Sequence, residues 1–243
     1  KNPKGYKVDI VPSGELVPLP PMPGVNLGDI VPDFEAETSM GAIKFHEWIG
    51  DSWAILFSHP ADYTPVCTTE LGTVSKLFED FKKRNCKVIA LSCDDVESHM
   101  GWISDIKATQ KVDDFQYPII ADPKRDLATK WGMLDPDEKD KAGLPLTCRA
   151  VFIIAPNKQL KLQILYPATT GRNFSEILRV LDSLQLTVNH SVATPADWTD
   201  GADCMVVPSL SDEQATAKFP KGFNKVETPS GKGYLRLTPQ PNK

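Results

Sequence analysis

Trp53-Ala-Ile-Leu-Phe-Ser58 runs directly into His59-Pro60-Ala-Asp-Tyr-Thr64-Pro65-Val-Cys67, and the join between the two decides the fold. The first six residues are an unbroken apolar run, the pattern of a strand covered on both faces, so this strand belongs at the centre of a sheet. After the loop, Leu71, Val74, Leu77, Phe78 and Phe81 recur at spacings of three and four, which predicts one helix from about Pro65 to Arg84. Further along, Lys87 to Ser92 and Tyr117 to Ala121 read as strands, with helices from about Val96 to Thr109 and from Arg125 to Trp131, a β-α-β-α-β progression. Arg149 to Ile154 and Leu160 to Tyr166 flank the turn-rich Ala-Pro-Asn-Lys-Gln, which suits an antiparallel hairpin, and Phe174 to Leu184 forms a last amphipathic helix. The expected fold class is therefore α/β, a thioredoxin-like three-layer sandwich.

Three segments follow from composition. Residues 1–21 contain Pro12, Pro18, Pro20 and Pro21 among small and polar residues with no apolar core of secretory type. They read as a leader, either an added remnant or a natural extension. Residues 22–188 hold the sandwich. Residues 189–243 shift to Pro, Asp, Gly and Thr with short apolar pieces such as Met205-Val-Val207 and Tyr234-Leu-Arg-Leu237, and are expected to form a small, partly β C-terminal domain packed on the main one or on a second subunit.

The charge balance excludes several functions. With 27 Lys and Arg against 32 Asp and Glu interleaved along the chain, there is no basic stripe to neutralise phosphates, so nucleic acid is not an expected partner. The apolar runs fall far short of the roughly 20 residues of a transmembrane segment. Five cysteines, odd in number and free of CxxC pairs, argue against a disulfide scaffold and against a zinc site, and fit a reducing, cytoplasmic compartment. No metal and no organic cofactor is expected.

The chemistry concentrates at the end of the opening stretch. Thr64 is a favoured N-cap residue and Pro65 a favoured first helical residue, which puts Cys67 third in the helix. There the free N–H groups and the macrodipole favour a thiolate, and a loop at the C-terminal end of a strand predicts an exposed one. The alternative for a cysteine here, and the less favoured one, is a small apolar residue buried in a first turn.

Pro-x-x-x-Thr-x-x-Cys, from Pro60 through Thr64 to Cys67, is the signature of the peroxiredoxins, and His59-Pro60 through Cys67-Thr-Thr-Glu70-Leu-Gly resembles their 1-Cys branch, of the mammalian peroxiredoxin 6 type. The resemblance extends from about Pro23 to Pro241. It takes in Phe45-His46, Gly50-Asp-Ser-Trp53, Tyr166-Pro-Ala-Thr-Thr-Gly-Arg-Asn173, Ala193-Thr-Pro-Ala-Asp-Trp198 and Pro229-Ser-Gly-Lys232. It implies a thiol-dependent peroxidase acting on hydrogen peroxide and on organic or phospholipid hydroperoxides. It also implies that Cys67 is the attacking cysteine, Thr64 supplies a hydroxyl to the peroxide, Pro60 and Pro65 shape the pocket with Pro65 shielding the thiolate, and Arg149 is the distant pocket arginine.

These residue types suit the reaction, because the site must ionise sulfur and then stabilise charge on the departing oxygen. Arg149, always charged and mounted on a strand, can serve both ends, although a lone arginine is by default a surface ion pair. His59 could bond within the pocket or be an ordinary satisfied loop histidine.

A sulfenic acid at Cys67 needs a reductant. Two-cysteine relatives carry a resolving cysteine in a C-terminal Val-Cys-Pro; the matching stretch here is Ala193-Thr194-Pro195, so that position is Thr194. Cys86 and Cys93, seven apart around a strand, should face opposite ways. Cys148 adjoins Arg149 and is the remaining candidate, while Cys204 reads as a small buried residue. An external thiol is implied, in this family glutathione delivered with a glutathione transferase, together with a homodimeric assembly.

Members of this branch also hydrolyse phospholipid acyl bonds through a surface Ser, His and Asp. Ser52 and His46 match two of these positions, but the third is Asn157, and an asparagine cannot stabilise an imidazolium as a triad carboxylate does. Ser52 also precedes a strand, where a nucleophile elbow needs a strand-to-helix turn. The residues alone make Ser52 a turn residue and His46 a helix or loop residue. A third reading is a non-enzymatic redox sensor or chaperone that uses Cys67 as a switch.

Overall fold

The structure, a computed structural model, describes residues 24–241. The expected leader, residues 1–21, lies outside the described residues. The chain begins with a short hairpin, β1 (Glu35–Ala36) and β2 (Ile43–Lys44), then α1 (Phe45–Ile49) and β3 (Trp53–Ser58). Next come α2 (Pro65–Lys76), α3 (Phe78–Lys83), β4 (Cys86–Ser92), α4 (Val96–Gln110), β5 (Ile119–Ala121) and α5 (Asp126–Lys130). A second hairpin, β6 (Leu134–Lys139) and β7 (Pro145–Thr147), precedes β8 (Arg149–Ile154), β9 (Leu160–Tyr166) and α6 (Phe174–Asn189). The last part holds β10 (Val192–Ala193), β11 (Cys204–Val206), α7 (Asp212–Lys218), β12 (Asn224–Lys225) and β13 (Arg236–Thr238).

The central sheet has the order β5-β4-β3-β8-β9, so the apolar run at residues 53–58 is its middle strand. β4 runs parallel to β3 and β5 parallel to β4, while β8 and β9 are antiparallel. Strand alternation divides the side chains between two cores. Trp53, Ile55 and Phe57 of β3 and Val151 and Ile153 of β8 face α2, α3, α4 and α6, in a core completed by Leu71, Val74, Phe81, Trp102, Ile106, Phe174, Ile177 and Leu181. Ala54, Leu56, Ala150, Phe152 and Ile154 face the other way, onto Phe45 and Ile49 of α1 and onto Ala128 and Trp131 of α5 and its end. Each layer buries large aromatics completely, and truncating one such as Phe57 to alanine costs about 3–5 kcal/mol.

Three expectations need correction. The helix expected over Pro65 to Arg84 is two helices, because Leu77 leaves helical geometry at φ −95° and ψ 5°. The bend turns α3 so that Phe81 enters the same core as Leu71 and Val74. The helix expected to end near Leu184 continues to Asn189, since Leu186 is apolar on the same stripe and packs in a third cluster with Val192, Trp198, Cys204 and Phe219. The β6–β7 hairpin has no counterpart among the sequence-based strands, because Leu-Asp-Pro-Asp-Glu-Lys is polar and carries a proline, a pattern tolerated only at an edge. Beyond α6, the chain forms a four-stranded antiparallel sheet in the order β10-β11-β13-β12, with α7 closed by a Ser211–Gln214 capping box.

Candidate active site

β3 delivers the chain into the loop His59–Thr64, and α2 starts at Pro65 with Thr64 at the N-cap, its backbone extended at φ −115° and ψ 146°. Cys67 therefore sits in the first turn, with Pro65 ahead of it offering no N–H. The Thr64 hydroxyl does not cap the helix as its type led one to expect. It donates instead to the Ala61 carbonyl at 2.8 Å, closing the loop on itself. Nor is Cys67 exposed: its relative accessibility is zero, because it belongs to the core beneath α2 and an arginine covers its sulfur. Pro60 is buried and Pro65 exposed above it.

That arginine is Arg149, whose Nη1 lies 3.4 Å from Cys67 Sγ. β8 explains the meeting. Val151 and Ile153 face the core of α2, so Arg149, two residues earlier, points to the same side, while Cys148 falls on the other, among the residues packed with Phe152 and Trp131. The guanidinium is immobilised by the Ala168 carbonyl, at 2.9 Å from Nε and 2.6 Å from Nη2, and by Glu70 Oε2, at 2.7 Å from Nη1.

Glu70 and Arg172 complete the cluster, and sequence reasoning assigned neither a role. Arg172 reaches Glu70 through its backbone N–H at 2.8 Å, Nε at 2.9 Å and Nη2 at 2.7 Å, and donates Nη1 to the Ala150 carbonyl at 2.7 Å. Its guanidinium lies over the Phe57 ring at 5.2 Å. Burial pushes the Glu70 carboxyl up, but hydrogen bonds and charge from Arg172, with the charge of Arg149, outweigh this and hold it below its ordinary range. A signal for Glu70 was present: three residues after Cys67 in a helix, it shares a face with the sulfur. Arg172 stood only within the stretch Tyr166 to Asn173 that carries the family resemblance, just before the N-cap Asn173.

His59 is fully buried, with Nε2 2.9 Å from Asp62 Oδ1 and its ring 5.1 Å from Trp102. Trp102 in turn donates Nε1 to Thr68 Oγ1 at 3.1 Å, one residue beyond Cys67.

The remaining candidates are not brought to this site. His46 Nε2 lies 2.9 Å from the Val31 carbonyl, an acceptor, so this nitrogen carries a proton. Ser52 Oγ donates to Asn85 Oδ1 at 3.0 Å, and Asn157 Oδ1 accepts from its own turn, from Gln159 N–H at 3.1 Å. Thr194 Oγ1 pairs with Ser183 Oγ at 2.7 Å. Cys86 is on the α2 side but at the opposite end of the sheet, paired with Trp53, roughly 16 Å of strand from the site. Among the described residues no disulfide is formed.

Comparison with known proteins adds to this geometry. A family model described as the AhpC/TSA family matches residues 27–163, and one described as the C-terminal domain of 1-Cys peroxiredoxin matches residues 183–222. Peroxiredoxin-6 of Gallus gallus is 62% identical over 223 residues, covering 90% of this chain and all of the relative, and that of Homo sapiens is 58% identical over 221 residues, covering 90% and 99%. Among solved structures, a mutant of the peroxiredoxin 6 of Arenicola marina is 61% identical and superposes with a TM-score of 0.88 over 90% of this chain and all of that one. A yeast mitochondrial 1-Cys peroxiredoxin, solved for its thiol resolving mechanism via glutathione/thioredoxin systems, is 43% identical with a TM-score of 0.80, covering 88% and 99%.

Proposed function

Because this chain belongs to the AhpC/TSA family, in its 1-Cys peroxiredoxin branch, and is a thiol-dependent peroxidase, we propose that Cys67 is the sulfur that takes the peroxide oxygen and that Arg149 is the group that drives the transfer. One observation carries this reading, the guanidinium 3.4 Å from the sulfur at the first turn of α2. Two guanidinium groups against the one Glu70 carboxylate leave a positive charge uncompensated beside Cys67, the complement of a thiolate. The thiolate attacks one peroxide oxygen, the S–O bond forms as the O–O bond breaks, and the departing alkoxide or hydroxide takes a proton. Arg149, fixed in advance by Glu70 and Ala168, stabilises the charge as it moves from sulfur to oxygen without having to reorganise. Since the Thr64 hydroxyl spends its proton on Ala61, its lone pairs are what it offers, as acceptor for the hydroperoxide O–H. Hydrogen peroxide and organic or phospholipid hydroperoxides all present the same O–OH group to this pocket.

The sulfenic acid is returned to the thiol by an external thiol. The hydroxyl of Thr194 at the usual resolving position and the seating of Cys148 across the sheet support this, as does the glutathione/thioredoxin resolution of the yeast relative. Glutathione delivered with a glutathione transferase fits such a site, in the cytoplasm. A homodimer is proposed as well, through the part of the β9 edge beyond Leu160, which residues 28–31 leave uncovered and where Leu165 is half exposed. Among the described residues no helix is long and apolar enough to cross a membrane.

The test is Cys67→Ser, assayed with glutathione and hydrogen peroxide. Turnover should vanish while the circular dichroism spectrum is retained. Turnover above a few per cent of wild type would remove Cys67 from its role, and a single equivalent of peroxide consumed by the wild type would replace the enzyme with a sensor.

A further inference from the structure

Cys67 is fully buried, yet a peroxide must reach it, and the contacts that close over the sulfur differ in kind. The first turn of α2 lies on one side of it, and residues 167–173, which lead from β9 into α6, lie on the other. That segment is pinned from both flanks. The Ala168 carbonyl accepts Arg149 Nε and Nη2 at 2.9 and 2.6 Å, and the Arg172 N–H donates to Glu70 Oε1 at 2.8 Å. Between these two anchors the Thr170 N–H closes a turn on the Pro167 carbonyl at 3.1 Å. The Arg149 guanidinium therefore spans the seam between helix and segment, with Nη1 against the sulfur and Nη2 on Ala168, and polar bonds close the seam at depth.

Nearer the surface the two sides meet through an apolar contact, Val66 against Gly171. Val66 is half-buried and residues 169–171 are exposed. A methyl group at position 171 would lie 3.3 Å from Val66 Cγ1, closer than the roughly 3.5–4.0 Å of a relaxed carbon contact. Beyond its chain neighbours it would meet nothing else within 4 Å. The backbone does not demand glycine here, because Gly171 is not among the glycines of positive φ. Its missing side chain is a matter of space, at the outer edge of the seam and against the residue that precedes Cys67.

We infer that Gly171 is a specificity-determining residue for the peroxidase reaction, keeping the seam between Val66 and residues 168–172 wide enough for hydroperoxides that carry a bulky organic group. The inference rests on the reading of Cys67 as the sulfur that takes the peroxide oxygen. Hydrogen peroxide and an organic hydroperoxide present the same O–OH group to that sulfur, so the seam discriminates by what trails the second oxygen. Because the segment is fixed on both sides of Gly171, a side chain added there is not relieved by the segment moving away. Val66 or the substrate must give instead.

The experiment compares the second-order rate constants for oxidation of Cys67 by cumene hydroperoxide and by hydrogen peroxide, with Cys67→Ser as the control. The ratio of the first constant to the second should fall about tenfold in Gly171→Ala and further in Gly171→Val, while the hydrogen peroxide constant stays within about threefold of wild type. Adding Val66→Ala to Gly171→Val should restore part of the ratio, because it returns the lost space from the opposite side. An unchanged ratio in both Gly171 variants overturns the inference, and so does an equal fall with both peroxides, which would make Gly171 a mere support for Arg149. Should Gly171→Val not fold, Val66→Ala alone decides. It widens the seam without touching the segment and should raise the ratio, and a ratio that stays or falls overturns the inference. Peroxide consumption that persists in Cys67→Ser overturns the reading of Cys67 itself, and the inference with it.

Discussion

The two faces of the central sheet place the same functional group in different surroundings. On the α2 face, Cys67 is buried completely but has a guanidinium 3.4 Å away. On the other face, Cys148 and the partly buried Cys93 pack among Leu56, Phe152 and Trp131. There, burial pushes the Cys148 thiol up and takes Cys93 up to about 11, the Asp122 and Asp94 charges adding to the effect and Arg125 only partly opposing it. Burial by itself silences a thiol, and a buried thiol becomes a nucleophile only where a fixed positive charge is buried with it. Cys67 and Cys148 are both buried, and what sets them apart is the guanidinium in contact with the Cys67 sulfur.

Removing that charge should break the contrast most. Arg149→Met is expected to slow peroxide attack on the order of a hundredfold or more, read by stopped-flow as the rate constant for Cys67 oxidation, because it removes the cation in contact with the sulfur and leaves the Glu70 carboxylate in the same cluster. An unchanged constant would mean that the guanidinium contact is incidental.

Glu70→Gln acts on the scaffold of the same charge. It strands two buried guanidinium groups against a neutral amide, at a cost of about 3–5 kcal/mol measurable by urea unfolding. Because Glu70 is held below its ordinary value of 4.5, its contribution is complete above that pH and is lost as pH falls through the lower folded value. The acid limb of the wild-type stability profile should therefore flatten in the variant.

Thr64→Val should reduce the rate less than Arg149→Met and leave stability within about 1 kcal/mol, since the hydroxyl bonds Ala61 and no helix N–H depends on it. The smallest effect is expected across the sheet. Cys93→Ser and Cys148→Ser should keep turnover near the wild-type level in a steady-state assay, and a loss comparable to that of Arg149→Met would erase the distinction between the faces.

Much of this contrast was legible in residue order. The apolar run at 53–58 fixed the central strand, and its junction with Thr64-Pro65 placed Cys67 in a first turn, because both depend on local pattern. The side of the sheet taken by Arg149 and refused by Cys148 follows from strand alternation, yet only once the start of β8 is known to a single residue. What the sequence did not reveal were contacts made in space. Glu70 as a bridge between two arginines and the burial of Cys67 under Arg149 join elements distant in the chain, where no periodicity operates, while the Thr64 hydroxyl turned back on Ala61 is a choice between two local partners that residue type does not decide. The polar β6–β7 hairpin escaped for the opposite reason, having no apolar alternation to announce it.

The central claim is that peroxide chemistry is confined to one face of the sheet, and peptide mass mapping after oxidation tests it most directly. With one equivalent of hydrogen peroxide and no thiol present, a single oxygen should appear at Cys67, advancing to sulfinic and sulfonic acid as peroxide is raised, with no peroxide-dependent disulfide. A stoichiometric Cys67–Cys148 linkage, abolished together with turnover in Cys148→Ser, would contradict the separation of the two faces and make this a two-cysteine peroxidase.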